Sequence, residues 1–427
     1  MIRLFGCFKK RKWPVLLALL LAAFLLVMFK HSLWHCMGFI HMKPIFFDTH
    51  SFLSASDCNQ LGYDVFIENP CDAGRRVQKY SRLWFLIGYT GLTMEDNNIV
   101  GGLTVIIFLL LSVGILAPKN LREFILSAML LLSPSITLAV ERANRDLDLF
   151  VMLGLGVYLL GSRSRMFNTI SYFLFFLATV LKFYPVASFG VFIRKIKDPK
   201  RFWLLVLLTV VALGTFVWMT FPDFEILRKT VPRPQRNAFG ASLLFGFLEG
   251  GWKILCIIVL LGSLSLLFRL FYSNRTSGST IQTRRFSTTF FLVGSLTLLF
   301  CFCVITNYDY RAVFFVFTLP YFFDLLASEN TAAFTIRLIN VFFVLLAVMV
   351  WAEFADYWGR LIAEGLGKSQ LAYYLTKTFM FLKHCSSWGA MMILFVFVVE
   401  LLEGPLREKI FFLSLGKGHA VDKLPVQ

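Results

Sequence analysis

Charge is what this 427-residue chain has little of: Asp, Glu, Lys and Arg make up 16% of it, against 58% hydrophobic residues. A soluble fold cannot bury that apolar share, so lipid must solvate much of the chain. Acidic residues are the scarcer sign, 25 against 42 Lys and Arg. The excess does not point to nucleic acid, because most of the basic residues sit in short clusters between apolar runs, as the positive-inside bias produces. The eight cysteines show no CxxC or Cys/His spacing, so neither a metal nor another cofactor is expected. Low-complexity tracts and an internal repeat period are also missing, which argues against a solenoid.

What the chain does have is apolar runs and 49 phenylalanines to fill the space between helices. Runs long enough for a full or partial crossing lie at 13–30, 99–117, 123–140, 147–160, 168–192, 203–221, 253–272, 288–306, 312–328, 337–352 and 389–403. The first follows "RLFGCFKKRK" and reads as an uncleaved signal anchor. The run 168–192 contains Lys182 and Pro185 in "LKFYP", where an unbroken lipid-facing helix is costly and Pro kinks it. Read as two short segments turning at that motif, it brings the clusters around Lys9–Lys12, Arg194–Arg201, Arg284–Arg285 and Arg337 to the cytoplasmic side. The expectation is an all-α polytopic membrane protein with about twelve spanning or partly spanning helices, both termini inside, forming one domain over 1–427.

That topology places the polar stretches on one outer face: a large first loop at 31–98, the "ERANRDLD" junction at 141–148, the "LKFYP" tip, and the loops 222–252, 307–311 and 353–388. Interfacial helices are expected in the first loop, and 353–388 reads as a second interfacial element. Cys58 and Cys71 can pair in an extracytoplasmic loop or, the default for scattered thiols, stay free. In the junction, a continued helix would pair Glu141 with Arg145 and Arg142 with Asp146 at i,i+4. Asp48 can act as a base or cap a helix starting near Thr49, with Asp57 as the rival carboxylate. Lys182, a cation inside an apolar run, either meets a phosphate or Glu141 or snorkels to the interface. Asp309 and Arg311 sit in a short turn and can pair locally or bind phosphate, and Arg233 and Arg236 suit an outward basic flap. Trp84, Trp358 and Tyr373 can stack on sugar rings or anchor at the interface.

A large loop after the first helix with an Asp near its start resembles the GT-C glycosyltransferases. The likeness is to glycosyltransferase family eighty-seven, the polyprenyl-phosphate-mannose-dependent type. It rests on "FFD" (46–48), "GYD" (62–64), "NPCD" (69–72), "RVQKYSRLW" (76–84), "SPSITLAVERANRDLDLF" (133–150), "LKFYP" (181–185), "FGAS" (239–242) and "NYDYR" (307–311). Two positions depart: Ala143 stands where "ERGN" has Gly, and Ser81 where "YPRxW" has Pro. The resemblance implies a GT-C-like bundle in a bacterial inner or plasma membrane with its site facing outward. It implies inverting transfer of a hexose such as mannose from a polyprenyl-phosphate donor to a lipid-linked or envelope glycan acceptor. Asp48 would be the base, and Arg82, Glu141, Arg142, Asn144, Asp146, Lys182, Tyr308, Asp309 and Arg311 would bind substrate. No metal is needed for a donor with one phosphate, and the "DLD" at 146–148 lies on the wrong side for a cytoplasmic nucleotide sugar. A lipid-glycan transporter or flippase and a catalytically inactive envelope-assembly protein are the rival classes; a transporter tends towards internal repeats, which this chain lacks.

Overall fold

The structure is a computed structural model that describes residues 12–31, 33–162, 164–230, 237–274, 285–304 and 307–415. It is all-α apart from a two-residue antiparallel pair, Ala238–Phe239 with Asn307–Tyr308. Among the described residues seven helices are long and apolar enough to cross a membrane: Lys12–His31, Met94–Leu116, Pro199–Met219, Gly251–Ser273, Phe286–Val304, Ala333–Gly365 and Ser369–Ile410. An eighth crossing arises if Leu121–Leu131 and Pro134–Arg142, bent by 54°, count as one. Sequence explains the bend. Ser133 leaves the helical region and accepts from the Ile136 N–H, and Pro134, which has no N–H to give, opens the next helix.

The other apolar runs are short helices. Residues 312–328, read as one crossing, form a 3-10 helix over Asp309–Phe317 and then an α-helix over Leu319–Leu326 that Pro320 opens. Within the run 168–192 the Arg165–Leu181 helix stops at Lys182, which is extended, and a 3-10 helix follows over Tyr184–Gly190. The chain then folds back. Tyr172 and Phe189 rings lie 5.5 Å apart, as do those of Phe175 and Phe192. A straight helix would separate Phe175 from Phe192 by about 25 Å, so the expected hairpin at "LKFYP" is present.

Two loop expectations need correction. Cys58 and Cys71 do not stay free but form a disulfide that joins the end of the Phe47–Gln60 helix to the returning segment. Residues 353–388 are not a separate interfacial element: they continue the Ala333–Gly365 and Ser369–Leu415 helices, which turn at Gly367. Glu353 and Lys383 lie inside these two helices and pair across the hairpin.

Between helices in lipid the hydrophobic effect supplies little, so close packing must hold the bundle. Phe150 stacks on Phe317 at 4.3 Å and meets Phe108 edge-on at 4.9 Å, while Phe322 packs on Phe342 at 4.8 Å and Phe397 at 5.2 Å. Gly294 allows the Arg285–Val304 helix to approach the 3-10 turn: a Cβ there would lie 2.8 Å from the Phe314 carbonyl oxygen.

The helix 134–142 ends at Ala143, which is left-handed (φ 43°, ψ 54°) and fully buried. Asn144 then caps the Arg145–Leu160 helix by accepting from the Asp146 N–H at 2.9 Å. A left-handed L-residue costs about 1–2 kcal/mol, which gives a physical reason for Gly at this place in the "ERGN" pattern. Ala143→Gly should stay within about 1 kcal/mol of the parent, because relief of that cost offsets the lost methyl. Ala143→Val should lose at least ~2 kcal/mol, since a β-branched side chain tolerates this conformation worst. Thermal unfolding in detergent measures both, and equal stability of the two variants would rule out a left-handed Ala143.

Candidate active site

The polar stretches expected on one face do meet at one end of the bundle. Thr49 Oγ1 donates to the Ala143 carbonyl at 3.0 Å, tying the first loop to the junction. Arg145 adds bonds to Thr49 Oγ1 and, at 2.8 Å, to the Ala143 carbonyl. Trp358 Nε1 donates to the Cys36 carbonyl at 3.0 Å, and Trp84 Nε1 to the Leu181 carbonyl at 3.3 Å. These two indoles are therefore ties between segments; Tyr373 is exposed.

Asp48 lies in the first turn of the Phe47–Gln60 helix, nearly buried, and is not its N-cap, a position held by Phe46 without a side-chain bond. Its Oδ2 accepts from Asn144 Nδ2 at 2.6 Å and its Oδ1 from Arg76 Nη1 at 3.2 Å. A carboxylate has about four lone-pair directions, so acceptor capacity remains for a substrate hydroxyl. Asp57 is occupied elsewhere, accepting from the Met94 N–H at 2.9 Å.

Asp146 is fully buried and forms a hydrogen-bonded ion pair with Lys182. Arg311 Nε stands 3.7 Å from its other oxygen, too far for a hydrogen bond. Lys182 lies over the Tyr80 ring at 4.6 Å and Arg311 over the Tyr184 ring at 4.4 Å. Burial, then the carboxylates of Asp48 and Asp146, hold the Tyr80 phenol far above its usual range. Burial, Tyr80, Asp146 and Asp48 do the same to Tyr310. Both phenols therefore stay protonated near the two carboxylates. Arg311 Nε and Nη1 and Asp146 Oδ2 are buried without a well-formed hydrogen bond, but the Cys301 thiol lies against the guanidinium and the Tyr184 hydroxyl against Asp146.

Several pairings differ from the sequence reading. The i,i+4 pairs Glu141–Arg145 and Arg142–Asp146 do not form, because Ala143 breaks the helix between them. Arg145 pairs instead with Asp148 at 2.9 Å, and Lys182 neither snorkels nor touches Glu141. Glu141 accepts from His41 Nδ1 at 2.7 Å and the Met42 N–H at 3.1 Å, with Arg142 Nε loosely beside it at 3.7 Å. Asp309 does not pair with Arg311 or face the candidate site. It bonds Lys383, which also reaches Glu353 at 2.8 Å, all three being buried. Asn237 completes this lock, its N–H donating to Glu353 and its carbonyl accepting from the Asp309 N–H, each at 2.8 Å. Tyr308 stacks on Tyr310 at 5.4 Å. Arg82 is turned away, held at 2.7 and 2.8 Å by Asp223. Arg233 and Arg236 lie outside the described residues.

Residues that sequence reasoning passed over include Arg76, Asp72, Tyr184, Lys383 and Glu353. Arg76 stands inside the quoted "RVQKYSRLW", but spacing does not reveal what it touches. Lys383, a lone cation in the apolar "FMFLKHC", carried the same signal as Lys182 and was hidden by reading 353–388 as interfacial. No protein-family model, curated protein or solved structure matches the chain.

Lys383→Met would remove the cation that buried Asp309 and Glu353 share. The expected loss is about 3–5 kcal/mol, with misplacement of the strand pair 238–239/307–308. Thermal unfolding in detergent tests it; a change under ~1 kcal/mol would show that the lock does not hold the two regions together.

Proposed function

We propose that the protein is an inverting membrane glycosyltransferase of the GT-C type, moving a hexose such as mannose from a polyprenyl-phosphate donor to a lipid-linked or envelope glycan. The observation that carries this reading is one convergence: an oriented carboxylate, Asp48, shares a polar end of the bundle with Lys182 and with an Arg311 whose Nε and Nη1 make no well-formed hydrogen bond. The likeness to glycosyltransferase family eighty-seven supplies the chemistry, and the order of its motifs coincides with the segments that meet here.

In this mechanism Asp48 takes the proton of the acceptor hydroxyl while that oxygen forms a bond to C1 of the sugar. The C1–O bond to the phosphate breaks on the opposite face, and its electron pair leaves with the polyprenyl phosphate. Arg311 can turn from its loose contact with Asp146 to meet that phosphate. Lys182 keeps Asp146 neutralised and adds positive charge where negative charge develops. Arg142 and Glu141 sit one turn away, beside the Ala143 carbonyl that anchors Thr49, and would bind the acceptor. The Cys58–Cys71 disulfide supports an outward-facing loop, since such bonds persist in oxidising compartments.

Purified protein given a polyprenyl-phosphate hexose and envelope glycolipids should release polyprenyl phosphate. Asp48→Asn should lower turnover by roughly 10²–10⁴-fold with donor binding retained; full activity would remove Asp48 as the base. Arg311→Gln should weaken donor binding by about tenfold or more, as loss of a charged hydrogen bond to phosphate predicts. Unchanged donor affinity in that variant would take the phosphate elsewhere.

A further inference from the structure

Arg76 is the most heavily engaged side chain near Asp48. Its Nε and Nη2 donate to Asp72 Oδ2 and Oδ1, each at 3.1 Å. Nη2 also donates to the Phe47 carbonyl at 2.7 Å, Nη1 donates to Asp48 Oδ1 at 3.2 Å, and the guanidinium lies 3.4 Å over the Phe47 ring. The planar fork thus grips the backbone and the side chain of two successive residues at the start of one helix, a geometry that Lys cannot supply.

Asp72 is built to hold that fork. It accepts from the N–H groups of Gly74 and Arg76 at 3.0 and 2.9 Å, and His50 Nδ1 stands 3.5 Å away. Burial alone would raise its carboxyl, but the nearby His50 and the bonds from Arg76 keep it well below the usual carboxylate range. Asp72 is therefore held as an anion against the guanidinium. Asn69 Nδ2 donates to the Arg76 carbonyl at 3.1 Å, and the adjacent Cys71 is bonded to Cys58 on the Asp48 helix. The segment 69–76 is thus fixed to the helix at both ends.

We infer that Arg76, held by Asp72, is a positioning residue that fixes the orientation of the Asp48 carboxylate for proton abstraction. The inference rests on the glycosyl-transfer reading. Asn144 fixes one oxygen of Asp48 and Arg76 the other; with only one of the two, the carboxylate rotates about its Cβ–Cγ bond. A base misdirected by about 1 Å loses roughly 10²-fold in rate while the donor site, built from Lys182 and Arg311, is untouched.

Two measurements on the full chain test this. The first is a thermal-stability cycle of Asp48→Asn, Arg76→Gln and the double variant in detergent. The Tm losses should fail to add, because both single changes break one contact. The second is steady-state kinetics with a polyprenyl-phosphate hexose. Arg76→Gln should lower kcat by about 10–100-fold with donor KM within about threefold, and Asp72→Asn should lower it less. Arg76→Ala should regain part of its kcat on addition of free guanidinium, which a folding defect would not. Additive Tm losses, unchanged kcat in Arg76→Gln, or a kcat loss that guanidinium does not relieve would each overturn the positioning role. If the parent protein releases no polyprenyl phosphate, glycosyl transfer fails and the positioning role falls with it, while a non-additive cycle would still show Arg76 and Asp48 in contact.

Discussion

A carboxylate shut inside a helical bundle must keep a cation beside it, and Asp146 depends on two, Lys182 by hydrogen bond and Arg311 at 3.7 Å. Those three side chains come from three breaks in the apolar sequence: the start of the Arg145–Leu160 helix, the "LKFYP" reversal and the 3-10 turn after "NY". Each break frees backbone groups that lipid cannot satisfy, so each has to face protein or water. The polar end of the bundle exists because these interruptions face one another and not the hydrocarbon.

The second constraint is the lock of Asp309, Lys383 and Glu353. It joins the short strand pair to the hairpin of the two longest helices among the described residues and fixes the chain at Asp309, two residues before Arg311. Asp309 and Arg311, two apart in sequence, thus serve different partners. One holds the turn in place, and the other keeps a loose contact with Asp146 and lies against the Cys301 thiol.

The loop after the first helix does a different job. Its Phe47–Gln60 helix is held through buried Asp48 and Thr49 and by the Cys58–Cys71 bond. Thr49 docks it on Ala143, Asn144 and Arg76 take the two oxygens of Asp48, and Asp72 holds Arg76. Polar docking of this kind permits a water-exposed loop to sit at a defined angle on a lipid-embedded bundle.

Hydropathy, the position of Pro185 and the cost of Lys182 in an apolar run are local properties. They determined an all-α membrane protein, the reversal at "LKFYP" and the grouping of the polar stretches at one end. The count of about twelve segments was less legible, because an apolar run does not tell whether it will form one straight helix or a 3-10 turn and a short helix, as 309–326 does. Which charges pair was not legible at all. Ionic partners such as Asp146 with Lys182, Asp309 with Lys383 and Asp48 with Arg76 lie 28 to 74 residues apart. Their choice depends on how helices cross, and a left-handed Ala143 was enough to cancel both i,i+4 pairs that spacing predicted. The sequence alone determined which charges had to be brought out of lipid, and only the tertiary structure decided which of them pair with one another, because that depends on how the helices cross.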